Sequence, residues 1–262
     1  MGNYKKYFTL SYDDGLEQDK ALLALMRKYG IKGTFNLNSG RFGGTYSIKY
    51  IGAMGFQVVE GAPPKGGSIF KFAPANVIPE DEIRQVYEGM ELASHGTHHL
   101  SPGKLDDNAF DEETGQDRLR IQKHTDGRVV GYAPPGNAYR EKQKERLIQN
   151  GFEYARVLTS NRAKGESRFS FPKDPFRFSP NVWHISKTLD AQLDEFLRLE
   201  PLQGDMLYFF WGHAYDFDFD AMKKRRIMYT LEKMFDKVAC DDSIIKCTTG
   251  EAVQRLLLQQ KK

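Results

Sequence analysis

The sequence of 262 residues has little cysteine, with Cys240 and Cys247 as its only two, both near the end. Zinc sites built from thiolates use cysteine pairs at a close spacing such as Cys-x-x-Cys, and this spacing is absent. The sequence therefore argues against a thiolate zinc site, and two cysteines give no support for a disulfide framework.

Long apolar runs and a strong charge are also missing. No stretch approaches the roughly 20 apolar residues that a membrane-spanning helix needs. The first residues lack the apolar segment and cleavage site of a signal peptide. The net charge is only +3, which gives no reason to expect a nucleic-acid partner. We therefore expect a cytoplasmic protein with no membrane span and no nucleic-acid partner.

Short strand patterns alternate with amphipathic helical patterns along the chain. Residues 7–12 and 206–211, for example, have the apolar, aromatic character of buried strands. Repeated strand-helix units predict a parallel sheet or barrel. The length suits one large α/β domain. We predict a single domain over residues 1–262, with a Gly/Pro-rich loop at about 52–79 and a variable loop at about 161–180.

Residues suited to a functional site follow four of the predicted strands directly. They are Asp13, His95, Pro134 and His213. In α/β barrels the active site lies at the carboxyl ends of the strands. Four such endings together predict an active site at this rim. Asn36 and Asn38, at the end of the second strand, are compatible with substrate binding or with a turn, whereas His184 is expected at the surface.

Asp14, His95 and His99 are the candidate metal ligands. The two histidines are four residues apart, and on a helical turn this spacing would put both imidazoles on one face, about 5–6 Å apart at Cβ. Two imidazoles and one carboxylate leave coordination positions open, which suits catalysis more than structure. We expect one divalent ion, zinc first, although cobalt, nickel, iron and manganese accept the same ligands.

Two further residues supply the proton chemistry that hydrolysis needs. Asp13 is adjacent to Asp14 and free to act as the general base. His213 is the natural general acid, because imidazole titrates near neutral pH. A bound divalent ion lowers the pKa of water and polarises a carbonyl oxygen. The residues therefore predict a metal-dependent hydrolase.

The chain resembles the polysaccharide deacetylases of the NodB-homology type, carbohydrate esterase family 4. The family motif Thr-Phe-Asp-Asp-Gly is similar to residues 11–15, the two-histidine motif to residues 95–99, and the late Leu-x-His motif to residues 211–213. The resemblance implies a distorted (β/α) barrel of about seven parallel strands. It also implies removal of N- or O-linked acetyl groups from a saccharide, with the roles given above for the base, the metal ligands and the acid.

The chain departs from the third family motif, Arg-x-Pro-Tyr/Phe. Ala133 stands in place of the arginine and Gly136 in place of the aromatic residue. Gly136 can still serve if the family's aromatic residue contributes mainly its backbone N–H to the oxyanion. We predict that Arg156, on the next strand, supplies the missing guanidinium beside the catalytic aspartate. The candidate substrate and oxyanion residues are Pro135, Gly136 and Trp211.

The fourth family motif, Asp-x-x-Asp-Trp, has only Asp174 and Trp183 as loose counterparts. With the missing arginine and the lack of a visible signal peptide, this keeps a second function open: a hydrolase of C–N bonds in a small cyclic amide or ureide on the same scaffold. A third function is a catalytically inactive carbohydrate-binding protein. The expected partner is accordingly an acetylated saccharide or a small amide.

Overall fold

The computed structural model describes residues 4–50, 56–62, 72–137, 139–160, 162, 165–218 and 221–260. These residues form one large parallel sheet and one small antiparallel sheet, with helices between the strands. The strands within the described residues are β1 (Lys6–Asp13), β2 (Thr34–Leu37), β3 (Tyr46–Tyr50), β4 (Phe56–Glu60), β5 (Phe72–Pro74), β6 (Glu91–Ser94), β7 (Gly131–Tyr132), β8 (Tyr154–Ala155), β9 (Val182–Trp183), β10 (Met206–His213) and β11 (Ile244–Lys246).

Helices connect most successive strands of the large sheet. A π-helical turn, Glu112–Gln116, joins α3 to α4, so the two form one irregular helix. No helix in the described ranges is long and apolar enough to cross a membrane. The helices are α1 (Asp19–Lys28), α2 (Ile83–Val86), α3 (Asp107–Asp111), α4 (Asp117–Gln122), α5 (Glu141–Gln149), α6 (Leu189–Arg198), α7 (Ala221–Ala239) and α8 (Thr249–Gln260).

The large sheet is a curled, distorted barrel, as predicted. Its strand order is β8-β7-β6-β2-β1-β10-β9, and β11 pairs with the first half of β1. Every pairing in this sheet is parallel. Within the described residues no ladder joins β8 to β9, so the barrel is not closed by backbone hydrogen bonds. The prediction of about seven parallel strands is confirmed.

The central strand β1 is buried along its whole length. Its residues alternate, with Phe8, Leu10 and Tyr12 on one face and the buried polar Thr9 and Ser11 on the other. Its side chains Phe8 and Leu10 pack into a core with Leu22 of α1, Leu193 of α6 and Leu231 of α7. The packing of this strand therefore holds its last residue, Asp13, in a defined position.

The small sheet has the order β4-β3-β5. Two of its strands, β4 and β5, lie within the stretch 52–79, which is predicted as a loop. Residues 52–55 and 63–71 of this stretch lie outside the described residues. Ile48 and Ala73 pack with Leu16 and Tyr215. The small sheet therefore supports the segments that follow β1 and β10.

The second predicted loop, 161–180, is mostly irregular where it is described. It contains a short 3₁₀ turn, Pro175–Arg177, and an isolated bridge between Ser170 and Met206. Residues 161, 163 and 164 lie outside the described residues.

We expect Leu10→Ala to destabilise the protein by about 2–5 kcal/mol, because it removes fully buried methyl groups from the core. Leu202→Ala is the matched control, since Leu202 is 82% exposed and such a change costs within about 0.5 kcal/mol. Denaturant unfolding of both variants measures the difference. Equal stabilities would contradict the assignment of β1 to the core.

Candidate metal centre and active site

The register of the parallel sheet brings the predicted residues together at one rim. Asp13, the last residue of β1, is level with His213 of β10 on one side and with Asn36 of β2 on the other. β6 ends at Ser94, so His95 follows at the same edge. Because parallel strands end on the same side, residues far apart in sequence lie side by side here.

Asp14, His95 and His99 form a compact group of three metal-ligating side chains. The Oδ1 atom of Asp14 lies 3.7 Å from Nε2 of His95 and 3.5 Å from Nε2 of His99. One ligand atom from each residue lies within 4.8 Å of the other two. The two imidazole rings are 4.8 Å apart between centroids, at 71° to each other. The structure thus brings all three predicted ligands together.

The prediction that the two histidines share a helical turn is wrong. Residues 95–100 form an irregular loop, in which Gly96 has φ 81° and His99 has φ 61°. The carbonyls of His95 and Gly96 accept hydrogen bonds from Asn38 instead of from residues four further along the chain. A left-handed backbone turn therefore brings the rings together, and helical periodicity does not.

The imidazole of His95 is held in the tautomer that metal binding requires. Its Nδ1 lies 2.6 Å from the carbonyl oxygen of Ala133, to which it donates its proton. This leaves the lone pair on Nε2, the atom that faces Asp14. Burial lowers the pKa of His95 to about 4, so the ring is neutral near pH 7. Such a hydrogen bond on the far nitrogen is typical of metal-binding histidines.

The chemistry of Asp14 fits a bound cation. Its Oδ1 is buried and accepts no hydrogen bond from the described part of the chain. Burial would raise the pKa of Asp14, but His99, His213 and His95 lower it below its usual value. A buried carboxylate oxygen without a donor is costly unless a positive charge meets it. One carboxylate and two imidazoles therefore suit a divalent first-row metal ion.

Asp13 is compensated by protein charges. Arg156 donates from Nη2 to both carboxylate oxygens, at 2.6 Å to Oδ2, and Asn36 donates to Oδ1 at 2.8 Å. Burial would raise the pKa of Asp13, but the positive charge of Arg156 and the neighbouring His95 and His213 hold it well below its usual value. Asp13 is therefore an ionised carboxylate with a fixed orientation.

Arg156 reaches this position because it follows β8 directly. Its backbone N–H donates to the carbonyl of Tyr132 at 2.8 Å, which continues the sheet pairing, and the residue is only 2% exposed. Its guanidinium also lies over the ring of Trp211, 5.4 Å from the centroid, a cation–π contact. The structure thus places Arg156 against Asp13, while Ala133 contributes its carbonyl to His95.

His213 lies next to Asp13, and part of its side chain is accessible to solvent. Its Nε2 is 3.7 Å from Oδ2 of Asp13, and 16% of its side chain is exposed. Its ring stacks on Tyr215 with centroids 4.8 Å apart, and Trp211 lies 5.4 Å away. The ring of His213 is therefore packed against two aromatic neighbours at the edge of the site.

The predicted oxyanion residues lie on the turn after β7. Pro135 is buried and Gly136 is exposed, with φ 70°. Ala133, whose carbonyl binds His95, precedes them by two and three residues. The turn therefore begins at the metal-ligand group, and Gly136 is the residue of this pair that carries an N–H.

Of the two loose candidates for the fourth motif, the structure brings only one near the site. Trp183 stacks on Trp211 with centroids 5.4 Å apart and an angle of 14°. The carboxylate of Asp174 instead bonds to Lys144 at 3.0 Å and to the N–H of Phe176 at 2.9 Å. Asp174 therefore caps a surface turn.

His184 is buried, so the prediction that it lies at the surface is wrong. Its Nδ1 lies 2.6 Å from the hydroxyl of Tyr12, and its Nε2 lies 2.8 Å from Oδ2 of Asp216. A Cβ at Gly212 would overlap the His184 ring, which explains the glycine before His213. This network joins β1, β9 and the segment after β10.

The sequence carried a weak signal for two further residues, Asn36 and Asn38. Asn36 lies within β2, whereas Asn38 does start a turn, because its backbone carbonyl accepts the N–H of Arg41 at 2.9 Å. Asn36 binds Asp13, and Asn38 donates to the carbonyls of His95 and Gly96 at 2.7 Å each. Two buried asparagines at the end of a central strand are that signal, because a buried amide needs partners of its own.

The sequence matches the model of a known protein family. The sequence model described as polysaccharide deacetylase matches residues 2–155, more than half of the chain. The chain belongs to the polysaccharide deacetylase family. The family resemblance seen in the motifs is therefore confirmed. No curated protein matches the chain closely enough to add a nearer relative.

Solved structures with the same fold agree with this family. A protein from Mycobacterium smegmatis assigned to the polysaccharide deacetylases has a TM-score of 0.61 at 13% identity, over 99% of this chain and 92% of that chain. The Xyl-CE4 domain of a multidomain xylanase from the hindgut metagenome of Trinervitermes trinervoides has 0.52 at 16%, over 99% and 92%. A CE4-family pseudoenzyme from Bacillus anthracis has 0.54 at 12%, over 97% and 66%.

These similarities establish the fold alone. One of the neighbours in this deacetylase family is a pseudoenzyme, so the same barrel occurs without activity. Activity must therefore be argued from the side chains at the rim.

His184 gives a prediction for the pH dependence of stability. Burial lowers its pKa in the folded protein, although Asp216 opposes this, so below about pH 6.5 the unfolded chain binds more protons at this residue. We expect the stability advantage of the wild type over His184→Gln to shrink as the pH falls from 7.5 to 5.5, by up to about 1.4 kcal/mol per pH unit.

Denaturant unfolding of both proteins at the two pH values measures this difference. Burial raises the pKa of Asp19 to about 8 and that of Asp117 to about 6, which acts in the opposite direction, but both acids are common to the two proteins. A stability difference that grows as the pH falls would contradict a neutral, buried His184.

Proposed function

We propose that this chain is a metal-dependent hydrolase that removes acetyl groups from a saccharide. The observation that supports this most is the joint arrangement of two sites at one rim. Three metal-ligating atoms lie within 4.8 Å of one another, and the ion-paired Asp13, the neighbour of Asp14 in the sequence, has its Oδ2 3.7 Å from Nε2 of His213. Membership of the polysaccharide deacetylase family supports the class of substrate.

Asp14, His95 and His99 would hold the divalent ion, with zinc as the first expectation. An ion held there would polarise the acyl carbonyl oxygen and make a nearby water more acidic. The three residues leave part of the coordination sphere open to water and substrate. The hydrogen bond from His95 to the Ala133 carbonyl keeps its ligating nitrogen free of a proton.

Asp13 accepts the proton of the attacking water. Its pKa lies well below its usual value because of Arg156, so the carboxylate is always in the ionised form near pH 7. A carboxylate with a low pKa is a weak base, and it therefore acts best on a water that is already acidic. Arg156 and Asn36 fix the direction in which the carboxylate points.

His213 donates a proton to the leaving nitrogen or oxygen of the sugar. Its partial exposure and its position beside Asp13 allow it to reach a group on the substrate. The N–H of Gly136 is the proposed donor to the oxyanion, since Pro135 has no N–H. Trp211 lies between Arg156 and His213 and would border the acetyl group.

The proposal is tested by acetate release from a panel of N- and O-acetylated sugars. We expect metal-loaded protein to release acetate from at least one sugar, and removal of the metal with a chelator to abolish this. Asp13→Asn is expected to lower kcat by about 10²- to 10⁴-fold, the usual contribution of general base catalysis. Asp174→Asn is the matched control and is expected to retain activity, because Asp174 caps a turn outside the site.

Two results would contradict the proposal and identify its rivals. Hydrolysis of a cyclic amide or ureide, with no acetate released from any sugar, would show the C–N hydrolase. Bound metal and bound sugar without hydrolysis would show an inactive carbohydrate-binding protein.

Arg156→Ala tests the role of the relocated arginine. Without the guanidinium, burial raises the pKa of Asp13. As the pH is lowered, the carboxylate therefore becomes protonated, and inactive, at a higher pH than in the wild type. We expect kcat/KM to fall, its acidic limb to move to higher pH, and added guanidinium ion to restore part of the rate. The pH profile of kcat/KM for both proteins measures this. An Arg156→Ala protein with the wild-type profile and rate would exclude the role.

A further inference from the structure

Glu113 is a buried carboxylate next to the metal-ligand loop. It lies in the π-helical turn Glu112–Gln116, and only 4% of its side chain is exposed. A π-helical turn inside a longer helix is rare and frequently occurs at functional sites. This turn directs Glu113 into the loop 95–100, where its carboxylate contacts His98 and Leu100.

The carboxylate binds the backbone N–H groups of the two residues on either side of His99. Its Oε1 accepts the N–H of His98 at 2.8 Å and the N–H of Leu100 at 3.0 Å. Its Oε2 lies 3.3 Å from Nδ1 of His98. Two backbone N–H groups that converge on one anion form a concave site, and a carboxylate of the protein fills it here.

This arrangement explains the unusual backbone of His99. A left-handed conformation is unfavourable for a residue with a Cβ, and His99 has φ 61°. The two N–H groups point to the same oxygen of Glu113 in this conformation. Loss of the carboxylate would leave two N–H groups unsatisfied and would remove the reason for the left-handed turn.

The loop sequence leaves room for this carboxylate. A Cβ at Gly96 would lie 2.9 Å from Oε1 of Glu113, and Gly96 itself has φ 81°. On the opposite side, Asn38 holds the carbonyls of His95 and Gly96. The loop is therefore fixed from two sides, by an amide that donates and a carboxylate that accepts.

His99 depends on its backbone more than His95 does. The Nδ1 of His95 is fixed by the carbonyl of Ala133. Within the described residues, no hydrogen bond holds the imidazole of His99, and 26% of its side chain is exposed. Its direction is therefore set by the turn that Glu113 stabilises.

We propose that Glu113 is a positioning residue that holds the metal ligand His99 in place through the backbone N–H groups of its two neighbours, His98 and Leu100. This inference rests on the proposed metal-dependent function. It assigns a task to a residue that touches neither the ion nor the substrate. What it predicts first is a change in metal affinity, and a change in rate only as a consequence.

The test is a titration of metal-free protein with Co²⁺. Binding is measured from the visible absorption of the bound ion, and the dissociation constant is obtained by competition with a chelator. We expect Glu113→Ala to raise the Co²⁺ dissociation constant by about 10- to 100-fold, as changes around metal ligands typically do. The absorption spectrum should also change, because His99 is no longer held in one place. Glu112→Ala is the matched control: Glu112 is exposed in the same π-helical turn, and we expect wild-type affinity.

Two further variants separate position from charge. Glu113→Gln keeps an oxygen for both N–H groups but removes the negative charge, so its affinity should stay closer to wild type than to Glu113→Ala. Glu113→Asp keeps the charge but withdraws the oxygen, so it should lose affinity as Glu113→Ala does. A higher Co²⁺ affinity in Glu113→Asp than in Glu113→Gln would overturn the positioning role of Glu113. This comparison decides the question even if Glu113→Ala does not fold.

The outcomes also separate this inference from the proposed function. Wild-type Co²⁺ affinity and spectrum in folded Glu113→Ala, with a wild-type protein that binds Co²⁺, would overturn the role of Glu113 alone. A wild-type protein that binds no Co²⁺ would overturn the metal site and the positioning role together.

Discussion

Two adjacent carboxylates are buried at the end of the central strand, and the rest of the site follows from this constraint. An ionised group removed from water is destabilising by several kcal/mol unless an opposite charge or hydrogen-bond donors meet it. Asp13 receives Arg156 and Asn36. Asp14 receives only the rings of His95 and His99 near its Oδ1, which accepts no hydrogen bond from the described residues. The two neighbours therefore separate into a compensated carboxylate and a ligand that fits a cation.

The parallel register makes this separation possible. Asp13 is level with His213 and Asn36, so the proposed base, the proposed acid and the supporting amide meet without any loop having to bring them together. The metal ligands differ, because His99 depends on an irregular loop. The site thus combines residues fixed by the sheet with one ligand fixed by local hydrogen bonds. This difference explains why buried polar residues such as Asn38 and Glu113 surround the loop.

The arginine of the family's third motif illustrates how one task can move between strands. In this chain the residue at that position is the uncharged Ala133, whose carbonyl accepts a hydrogen bond from Nδ1 of His95. Arg156 follows the next strand, β8, and its guanidinium donates a hydrogen bond to Asp13. In the proposed chemistry, the guanidinium beside Asp13 comes from the residue that follows β8. A motif can therefore be incomplete while the interaction that it represents is present.

Much of the fold was predictable because strand-helix alternation and buried apolar strands are local patterns. The rim was predictable for the same reason, since Asp13 and His213 each end a strand and His95 follows one directly. The strands β4 and β5 were missed because they are short and lie in a stretch rich in glycine and proline. The spacing of His95 and His99 suggested a helical turn, whereas partners distant in sequence determine the real geometry. His184 gave no local signal, because its partners Tyr12 and Asp216 come from other elements.

The central claim is that Asp14, His95 and His99 bind one divalent ion. Diffraction from crystals grown with Zn²⁺, recorded at the zinc absorption edge, tests this claim most directly. The account predicts a single anomalous peak about 2.0–2.2 Å from a carboxylate oxygen of Asp14 and from Nε2 of both histidines. No peak at this group, or a zinc ion bound elsewhere while the three side chains stay without metal, would contradict it.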